Sequence, residues 1–588
     1  MKTRIFLVYG ACLLLAVTLF PVRAWALPFS SATIYSTGVN PWKVVTGDWN
    51  RDGKLDAATS NAGDDTISVF LNDGLGNLTN NLNDSTCSRP YGMAAADFDS
   101  DGWTDLAVSC DGANKVSVFL NRADGTGNFF HGTESAAGNE PRGLVAYDFD
   151  GDGSMDLAMA DFVGGVDVAL GKGDGTFAAS TPYASGLYST DVTVGDFDND
   201  NNVDLVVTNS CAGCFVPYGT GSVSFLSGNG DGTFNATVNT PTTRGSVSVT
   251  SDDFDGDGNR DLAIVKPRHN LMSIFTGNGD GTFNATPDLA TDAGPQAITS
   301  GDVNQDGKTD ILVSNSTANK FSVYTGNGNG WFNSPSTTTA GTTPLGLALG
   351  DFNRDGKLDL ALANEADNTL AVYFDASPPA ITALTPNSTS VGGNGIAVTI
   401  TGTGFAPNSK GRVNGSDRPT TYVSPTSLSV NIGQSDVERN GTLNFTVYNP
   451  ALSLTSNSST FTVTGSSNGG GGLPPEAFLP PAQPEGGFKI LLDGGAAQTG
   501  SRQVQVTFVT DAGMRVPAAK SFAISNVADF SGASILPLPS SALNWDLCAQ
   551  AGGAIVPSLR DRRTYGVRKI LQRLGPGLAR GQRQNPVR

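Results

Sequence analysis

The sequence contains very little histidine and glutamate. Its 588 residues include two His, His131 and His269, and only six Glu among 55 acidic residues. Two histidines so far apart exclude a His-cluster zinc site and leave little for His-based catalysis. Because Glu favours helices whereas Asp favours turns, caps and metal loops, an acidic complement made almost entirely of Asp predicts a chain poor in helix.

Positive charge is also scarce, since 36 Lys and Arg face those 55 acidic residues and leave a net charge of −19. Such a chain is a poor partner for nucleic acid or for an anionic membrane surface, and neither is expected to bind it. The 73 Gly and 31 Pro further argue against a helical or Rossmann-type fold. A chain of this length is too long for one ordinary domain unless the fold is a repeat.

Only one apolar run is long enough to cross a membrane, and it lies at the N-terminus. Residues 1–26 have the pattern of a secretory signal peptide, with a basic start, an apolar stretch over 5–20 and a small-x-small site at Ala24-Trp25-Ala26. A retained membrane anchor is the alternative. The mature chain is therefore predicted to be secreted or at the cell surface, without a membrane span.

Five cysteines remain after this segment. In an oxidising compartment, the pairs Cys87–Cys110 and Cys211–Cys214 are plausible disulfides, and Cys548 is left over. The Cys-x-x-Cys pattern at 211–214 also fits a redox motif, but no helical pattern follows it. We therefore favour a disulfide that closes a loop.

An Asp-rich phrase recurs seven times, beginning at Asp48, Asp97, Asp148, Asp196, Asp253, Asp302 and Asp351. The intervals are 49, 51, 48, 57, 49 and 49 residues, and the longest contains the segment of Cys211 and Cys214. Each repeat divides into four short strand-like runs bounded by Gly, Asn and Asp. Four strands per repeat of this length predict an all-β chain whose residues 27–376 form a seven-bladed β-propeller.

The two ends of this repeat region complement each other. Repeat seven stops after its third strand, whereas residues 29–35 resemble residues 177–183, which begin the fourth strand of repeat three. We expect the N-terminal strand to complete the last blade, because closure pairs edges that would otherwise stay open. An open solenoid is the alternative.

Within each phrase, side chains that carry oxygen fall at positions 1, 3, 5 and 9, with Gly or Asn at position 6. Alternate oxygen ligands, a turn residue at position 6 and a backbone carbonyl at position 7 are typical of the front half of a calcium loop. An EF-hand is excluded because no Glu follows at position 12 and a strand follows instead of a helix. Asp residues that only cap turns are the alternative. The predicted ligands of up to seven structural Ca²⁺ ions, with position 7 included for its carbonyl, are Asp48, Asn50, Asp52, Lys54 and Asp56; Asp97, Asp99, Asp101, Trp103 and Asp105; Asp148, Asp150, Asp152, Ser154 and Asp156; Asp196, Asp198, Asp200, Asn202 and Asp204; Asp253, Asp255, Asp257, Asn259 and Asp261; Asp302, Asn304, Asp306, Lys308 and Asp310; and Asp351, Asn353, Asp355, Lys357 and Asp359.

With these loops in register, residues 27–376 resemble the FG-GAP (VCBS-type) repeats of secreted bacterial proteins and the seven-bladed propeller of integrin α chains. The resemblance implies calcium loops between the first two strands of each blade. It does not supply a metal-dependent ligand site, because in integrins the metal that grips the ligand belongs to a separate domain.

The rest of the chain changes character. Residues 378–464 resemble an IPT/TIG domain, an immunoglobulin-like β-sandwich, through the motifs Ile381–Pro386, Val398–Phe405 and Val447–Pro450. Residues 465–487 are predicted to be a Gly- and Pro-rich linker. Residues 488–556 resemble a second Ig-like module that lacks its closing strand, and 557–588 form a basic tail or a frame-shifted domain end.

Together these features favour a secreted, calcium-binding, non-enzymatic adhesion or ligand-binding protein whose partner is an extracellular protein or polysaccharide. A polysaccharide lyase or glycosidase on a propeller is the main alternative, and it needs an acid/base pair outside the calcium loops. Candidates for such a pair are Glu134, Glu140, Glu365, His131 and His269. A purely structural surface or matrix component is the third possibility. The aromatic residues Trp42, Tyr91, Trp103, Tyr188 and Trp331 are candidates for stacking on sugar rings, although core packing is the preferred interpretation.

Overall fold

The structure is a computed structural model that describes residues 29–210, 221–242 and 245–465, together with six strands between 489 and 559. The predicted signal peptide, the Cys211–Cys214 pair, almost all of the predicted linker and the tail beyond 559 lie outside these residues. The prediction of an all-β chain is confirmed. The helical elements of the described part are two single-turn 3-10 helices, Pro267–His269 and Gln434–Asp436.

The repeat region folds into seven antiparallel sheets, one for each repeat. We number the sheets 1 to 7 in the order of their repeats. The strands of sheets 1 to 4 are β2 (Pro41–Gly47), β3 (Asp56–Asn61), β4 (Thr66–Asn72) and β5 (Leu78–Ser85); β6 (Pro90–Ala96), β7 (Asp105–Cys110), β8 (Lys115–Asn121) and β9 (Phe129–Ala136); β10 (Pro141–Tyr147), β11 (Asp156–Asp161), β12 (Gly165–Ala169) and β13 (Thr181–Tyr183); and β14 (Ser189–Gly195), β15 (Asp204–Asn209), β16 (Gly221–Leu226) and β17 (Val238–Thr242).

Sheets 5 to 7 follow the same order, and two short strands share the outer position in sheet 5. Their strands are β18 (Ser248–Asp252), β19 (Asp261–Lys266), β20 (Leu271–Gly277), β21 (Phe283–Ala285) and β22 (Leu289–Ala290); β23 (Pro295–Gly301), β24 (Asp310–Asn315), β25 (Lys320–Tyr324) and β26 (Ser336–Thr339); and β27 (Pro344–Gly350), β28 (Asp359–Asn364) and β29 (Thr369–Tyr373).

The seven sheets close into a propeller-like ring. The first strand of each sheet contacts the first strand of the next, and β27 of sheet 7 contacts β2 of sheet 1. The apolar core follows the same ring, because a separate buried cluster lies between every pair of neighbouring sheets. The cluster between sheets 7 and 1 contains Phe352 and Leu370 from one side and Val44 and Phe70 from the other.

The outer strand of sheet 7 comes from the other end of the repeat region. The N-terminal strand β1 (Thr33–Ser36) pairs antiparallel with β29, and Ile34 lies opposite Ala371. An isolated bridge between Phe29 and Asp375 extends this pairing. The edge of β29 is thereby covered, which is the arrangement that closed rings use to avoid an exposed strand edge.

A disulfide joins Cys87 to Cys110 in the core between sheets 1 and 2, with a Cα–Cα distance of 5.8 Å. This is one of the two pairs expected from the sequence. Both cysteines are buried, Cys110 fully so. Cys110 ends β7 and Cys87 lies just before β6, so the bond links two positions that are 23 apart in the sequence.

The residues that follow the ring form a two-layered β-sandwich. One layer contains β30 (Ala380–Thr385), β32 (Ile396–Thr403), β36 (Ser427–Ile432) and β35 (Thr420–Ser424) in that order, and the other contains β31 (Ser388–Ser390), β39 (Ser459–Thr464), β37 (Gly441–Asn449), β33 (Lys410–Val413) and β34 (Ser416–Asp417), with β38 (Leu454–Thr455) paired to β37. Along β32 the buried and exposed residues alternate, as expected for a strand with one face on the core. Phe405, Phe445 and Phe461 are fully buried between the layers.

The sandwich packs against sheet 7. The Tyr422 hydroxyl donates a hydrogen bond of 2.8 Å to the backbone carbonyl of Arg354, and Leu452 packs against the core cluster between sheets 7 and 1. As a result, Asn353, Asp355 and Lys357 in the Asp-rich loop of sheet 7 are buried, although the corresponding residues of the loop of sheet 1 are not.

Residues beyond 467 form a separate unit. It contains a sheet in the order β40 (Lys489–Leu492), β41 (Gln503–Val509), β44 (Asn544–Ala549) and β45 (Ile555–Leu559), and a pair of β42 (Ser521–Ile524) with β43 (Ser534–Pro537). The strand β45 spans residue 556, where the second Ig-like module is predicted to end. Cys548 lies in β44.

Candidate metal centres

Each Asp-rich loop connects the first strand of a sheet to the second, so all seven lie at one end of the ring. The position-1 carboxylate organises the loop, since it accepts the N–H of position 6 in every repeat. In sheet 1, Asp48 Oδ2 accepts the N–H of Gly53 at 2.9 Å, and Asp48 Oδ1 accepts that of Asp52 at 3.1 Å. Gly53 has a φ of 75°, a backbone conformation that Gly adopts without strain.

The position-9 aspartate begins the second strand and is fully buried in all seven sheets. Its two carboxylate oxygens bridge the loop and the end of the third strand. In sheet 2, Asp105 Oδ2 accepts the N–H of Phe98 at 2.8 Å, and Asp105 Oδ1 accepts that of Asn121 at 2.7 Å. The same pair of bonds recurs in the other six sheets. Position 9 therefore has a structural role within the sheet, besides any role in binding metal.

The residue at position 2 was not among the candidates from the sequence, yet it is buried in every repeat. These residues are Trp49, Phe98, Phe149, Phe197, Phe254, Val303 and Phe352. Each one packs into the core cluster between its own sheet and the next. The aromatic residue after the first Asp in six of the seven phrases is a sequence signal that could have revealed this role.

Four loops bring three carboxylates together, with ligand oxygens within 4.8 Å of one another. The groups belong to sheets 2 to 5, and they are Asp97, Asp99 and Asp101; Asp148, Asp150 and Asp156; Asp196, Asp198 and Asp204; and Asp253, Asp255 and Asp261. These loops carry Asp at position 3, so all four of their side-chain candidates are carboxylates. We call them the acid-rich loops.

The loops of sheets 6, 7 and 1 carry Asn at position 3 and Lys at position 7. Because sheet 7 contacts sheet 1, these three loops are neighbours in the ring, and we call them the lysine loops. In the loop of sheet 1 the Lys54 ammonium lies 2.8 Å from Asp52 Oδ2, where it supplies positive charge to the carboxylates from inside the loop. In the loop of sheet 7 the Lys357 ammonium instead contacts Asp375 and the carbonyl of Ser377.

Several loop carboxylates are disfavoured in their ionised form without a cation. Burial, with smaller contributions from neighbouring aspartates, raises the pKa of Asp56 and Asp105 to about 7 and the pKa of Asp156 to about 6. Burial and the adjacent carboxylates also raise the pKa of Asp99 and Asp198 at position 3. A bound divalent cation would reverse this effect, because its charge stabilises the ionised carboxylates.

The donor set fits calcium. Ca²⁺ takes six to eight oxygen ligands from carboxylates, amide oxygens, backbone carbonyls and water. The acid-rich loops offer carboxylates, and Oδ1 of Asp97 and of Asp196 is buried without a hydrogen-bond partner. Such an orphaned oxygen is costly unless a ligand contacts it. Position 7 would contribute its backbone carbonyl, so its side chain is not needed as a ligand. In sheet 2 this side chain, Trp103, lies against the guanidinium of Arg51.

The candidates for an acid/base pair are engaged in other contacts. Glu134 forms an ion pair with Lys115, Glu140 lies 4.0 Å from Arg142, and Glu365 accepts a hydrogen bond from Asn40. His131 stacks on Phe119 and contacts the Ser117 hydroxyl at 2.9 Å. Of the aromatic candidates, Trp42 and Tyr91 line a cavity on the ring axis, whereas Trp331 is exposed and Tyr188 packs beside Phe162.

Comparison with known families finds matches in the ring and in the sandwich that follows it. The model of the FG-GAP-like repeat matches residues 97–159, 148–207, 253–313 and 302–362, and that of the IPT/TIG domain matches residues 379–463. A search of curated proteins finds no match. In the part of the chain that the structure describes, no helix has the length and apolar character needed to cross a membrane.

Solved structures that match the chain include BBS1N in complex with ARL6DN, at 12% identity and a TM-score of 0.42, covering 59% of this chain and 96% of that one. A protein of unknown function from Desulfotomaculum acetoxidans DSM 771 matches at 11% identity with a TM-score of 0.37, covering 69% of this chain and 98% of that one. The two matched families are typical of extracellular, non-enzymatic proteins and suggest adhesion or ligand binding. The chain thus contains FG-GAP-like repeats followed by an IPT/TIG domain.

Proposed function

We propose that this chain is a secreted, calcium-binding, non-enzymatic adhesion or ligand-binding protein. The observation that carries the proposal is that the Asp-rich loops lie at only one of the two ends of the ring. All seven Asp-rich loops lie at one end, and the loops at the other end are free of them. Calcium would hold the first end rigid, while the second presents a surface built from loops of many sheets, the kind of surface on which proteins place binding residues.

Calcium in this role is structural. The position-1, 3 and 5 side chains and the position-7 carbonyl would hold each ion, and position 9 would join them from the base of the second strand. The position-2 side chain is adjacent in sequence to the first ligand and lies in the core between two sheets, as Phe98 does between sheets 2 and 3. Binding of the ion would therefore stabilise the junction of neighbouring sheets as well as the loop.

An enzyme is the less favoured alternative. The three Glu candidates and His131 engage neighbouring side chains, whereas a general acid or base must reach a substrate. The described part of the chain does contain one buried carboxyl pair outside the loops, Asp161 and Asp167, but neither residue lines the axial cavity. A purely structural surface component differs from the proposed function only in having no ligand, so a binding experiment separates the two.

The test uses the full chain purified in calcium buffer and dialysed, with bound metal measured by mass spectrometry. It is then incubated with a panel of matrix polysaccharides and extracellular proteins, and both retention and product release are recorded. Four or more ions per chain and saturable retention without product support the proposal. Fewer than two ions would contradict its calcium part, and catalytic release would replace the binding protein with an enzyme. Retention of no panel member would favour a structural component.

A further inference from the structure

A cavity of about 220 Å³ lies on the ring axis, where the first strands of all seven sheets begin. Its lining comes from residues at or near the start of each of these strands, such as Trp42 of β2 and Tyr91 of β6. The strands run from this end towards the Asp-rich loops. Asp48 follows Trp42 by six positions, which places the cavity roughly 20 Å from the candidate metal centres.

The wall of this cavity contains a pair of aromatic rings. Trp42 and Tyr91 pack together with ring centroids 4.2 Å apart and an interplanar angle of 46°. Neither residue belongs to the buried core between the sheets, and both are only partly exposed. An aromatic ring at the wall of a polar cavity provides a flat apolar surface for a ligand that also carries polar groups.

Polar side chains complete the lining. The Asp191 carboxylate is held in place, since its Oδ2 accepts the Ser248 hydroxyl at 2.7 Å and its Oδ1 accepts the N–H of Val192 at 3.1 Å. Lys43 and Gln296 also line the cavity, and within the described residues their side chains form no hydrogen bond or ion pair. A ligand would thus meet the Asp191 carboxylate as an oriented hydrogen-bond acceptor, the Lys43 ammonium as a donor, and the Gln296 amide, which can both donate and accept.

Arg142 fixes the aromatic side of the cavity and does not add a free charge to it. Its guanidinium lies 3.1 Å from the buried Asp111 carboxylate, which Arg89 also contacts at 3.2 Å. The Arg142 guanidinium lies 3.5 Å from the ring centroid of Phe162 and 5.2 Å from that of Tyr91. Because Lys43 and Asp191 carry opposite charges, the cavity is suited to hydroxyl groups more than to a strongly charged ligand.

We propose that this axial cavity binds one neutral pyranose ring, such as the terminal sugar of a glycan. The C–H face of the ring would stack on the aromatic pair, and its hydroxyls would bond to Asp191, Lys43 and Gln296. The volume is below the roughly 300–1,000 Å³ of pockets for drug-sized ligands, which suits a single sugar better than an oligosaccharide. This inference rests on the proposed ligand-binding function and names the ligand class and its site.

The test titrates the full chain in calcium buffer with glucose, galactose, mannose and N-acetylglucosamine, monitored by saturation-transfer NMR and tryptophan fluorescence. Sorbitol serves as a control that has the hydroxyls but no flat ring. The variants are Trp42→Leu, which removes the platform, and Lys43→Met, which keeps the chain length and removes the ammonium. Trp331→Leu is the matched control, because Trp331 is 52% exposed and does not line the cavity.

We expect saturable binding of at least one of the sugars, none of sorbitol, and a loss of affinity of about tenfold or more in Trp42→Leu, the size expected for a central aromatic contact. Lys43→Met should also weaken binding, and Trp331→Leu should not. If Trp42→Leu fails to fold, Lys43→Met decides the matter. Absence of sugar binding up to about 10 mM, a concentration that detects dissociation constants near 1 mM, overturns the proposal.

If Trp42→Leu and Lys43→Met both fold and still bind the sugar like the parent protein, the proposal is overturned as well. These outcomes are distinct from failure of the proposed function. If the polysaccharide and protein panel shows saturable retention that Trp42→Leu and Lys43→Met do not change, the chain is still a ligand-binding protein, and its site lies elsewhere.

Discussion

The Lys357 ammonium lies 3.0 Å from the Asp375 carboxylate, and the two side chains are only 5% and 1% exposed. Lys357 occupies position 7 of the loop of sheet 7, and Asp375 follows the last strand of that sheet. The Asp375 N–H in turn donates to the position-9 Asp359 at 2.9 Å. The pair therefore joins the Asp-rich loop of sheet 7 to the end of the ring, just before the IPT/TIG domain.

Removal of this lysine should destabilise the ring. In Lys357→Met the buried Asp375 loses its countercharge, and leaving one partner of a buried pair uncompensated costs about 3–5 kcal/mol. The measurement is the free energy of unfolding by denaturant at constant calcium concentration. The matched control is Lys54→Met in sheet 1, where the pair with Asp52 is partly exposed and is worth at most about 1 kcal/mol. Equal effects of the two substitutions would contradict this account.

Calcium should bind in two classes. The acid-rich loops of sheets 2 to 5 offer four carboxylates each, whereas the lysine loops offer three and carry a lysine at position 7. We expect about four tighter sites and three weaker ones in a calorimetric titration, because affinity rises with the number of carboxylates. Asp255→Asn in an acid-rich loop should convert one tighter site to a weaker one. In the lysine loop of sheet 1, Lys54→Met should tighten binding, since it removes the ammonium that contacts Asp52.

Chelation should lower the melting temperature of the ring. Extracellular calcium modules bind with dissociation constants of roughly 10⁻⁴–10⁻³ M. At about 1 mM calcium, four sites of this affinity contribute roughly 2–6 kcal/mol, a large part of a typical total stability. Scanning calorimetry with and without excess chelator measures this, and the transition of the IPT/TIG sandwich should change far less. An unchanged ring transition would contradict the calcium assignment.

The stability of sheet 3 should fall as the pH rises. Burial and the adjacent Asp167 raise the pKa of Asp161 to about 8, whereas an unfolded Asp has a pKa near 3.9. The folded state therefore holds the proton more tightly, so this contribution is complete below about pH 4 and is lost between about pH 4 and 8. In sheets 1, 4, 6 and 7 the corresponding residue is Asn61, Asn209, Asn315 or Asn364.

Asp161→Asn should therefore be more stable than the parent protein at pH 8, by at least about 1 kcal/mol, with a smaller difference at pH 5. Denaturant unfolding at the two pH values measures this. Comparison with the parent cancels the pH dependence of the Asp-rich loops, and Asp64→Asn, at an exposed site, is the control. A variant that follows the parent at both pH values would show that the pair does not titrate in this range.

The N-terminal strand should be required for a stable ring. Deletion of residues 27–38 removes β1 and exposes the edge of β29, and it also removes Phe29 from the core between sheets 6 and 7. We expect a lower melting temperature and aggregation, because an open strand edge pairs with other chains. Light scattering and thermal unfolding measure both effects. A truncated chain that melts like the parent would contradict the closure.

The sequence by itself determined the fold class and the position of the Asp-rich loops. Period-2 runs, Gly and Asn turns and the Asp-x-Asp spacing are local patterns, and a local pattern repeated every 49 residues or so leaves few architectures open. The sequence also showed that residues 29–35 complete the last repeat, because the strand missing there can be recognised by comparison with the fourth strands of the other repeats.

Only the tertiary structure decided which residues meet across repeats. The position-2 aromatics pack between two sheets, Asp161 faces Asp167, and Lys357 turns towards Asp375 while Lys54 stays in its own loop. Trp42 and Lys43 of sheet 1 and Asp191 of sheet 4 converge on the axis, although Lys43 and Asp191 are 148 positions apart in the sequence. No local pattern encodes such contacts, because they arise only when the closed ring brings equivalent positions of different repeats together, and because a neighbouring domain buries one loop and leaves another exposed.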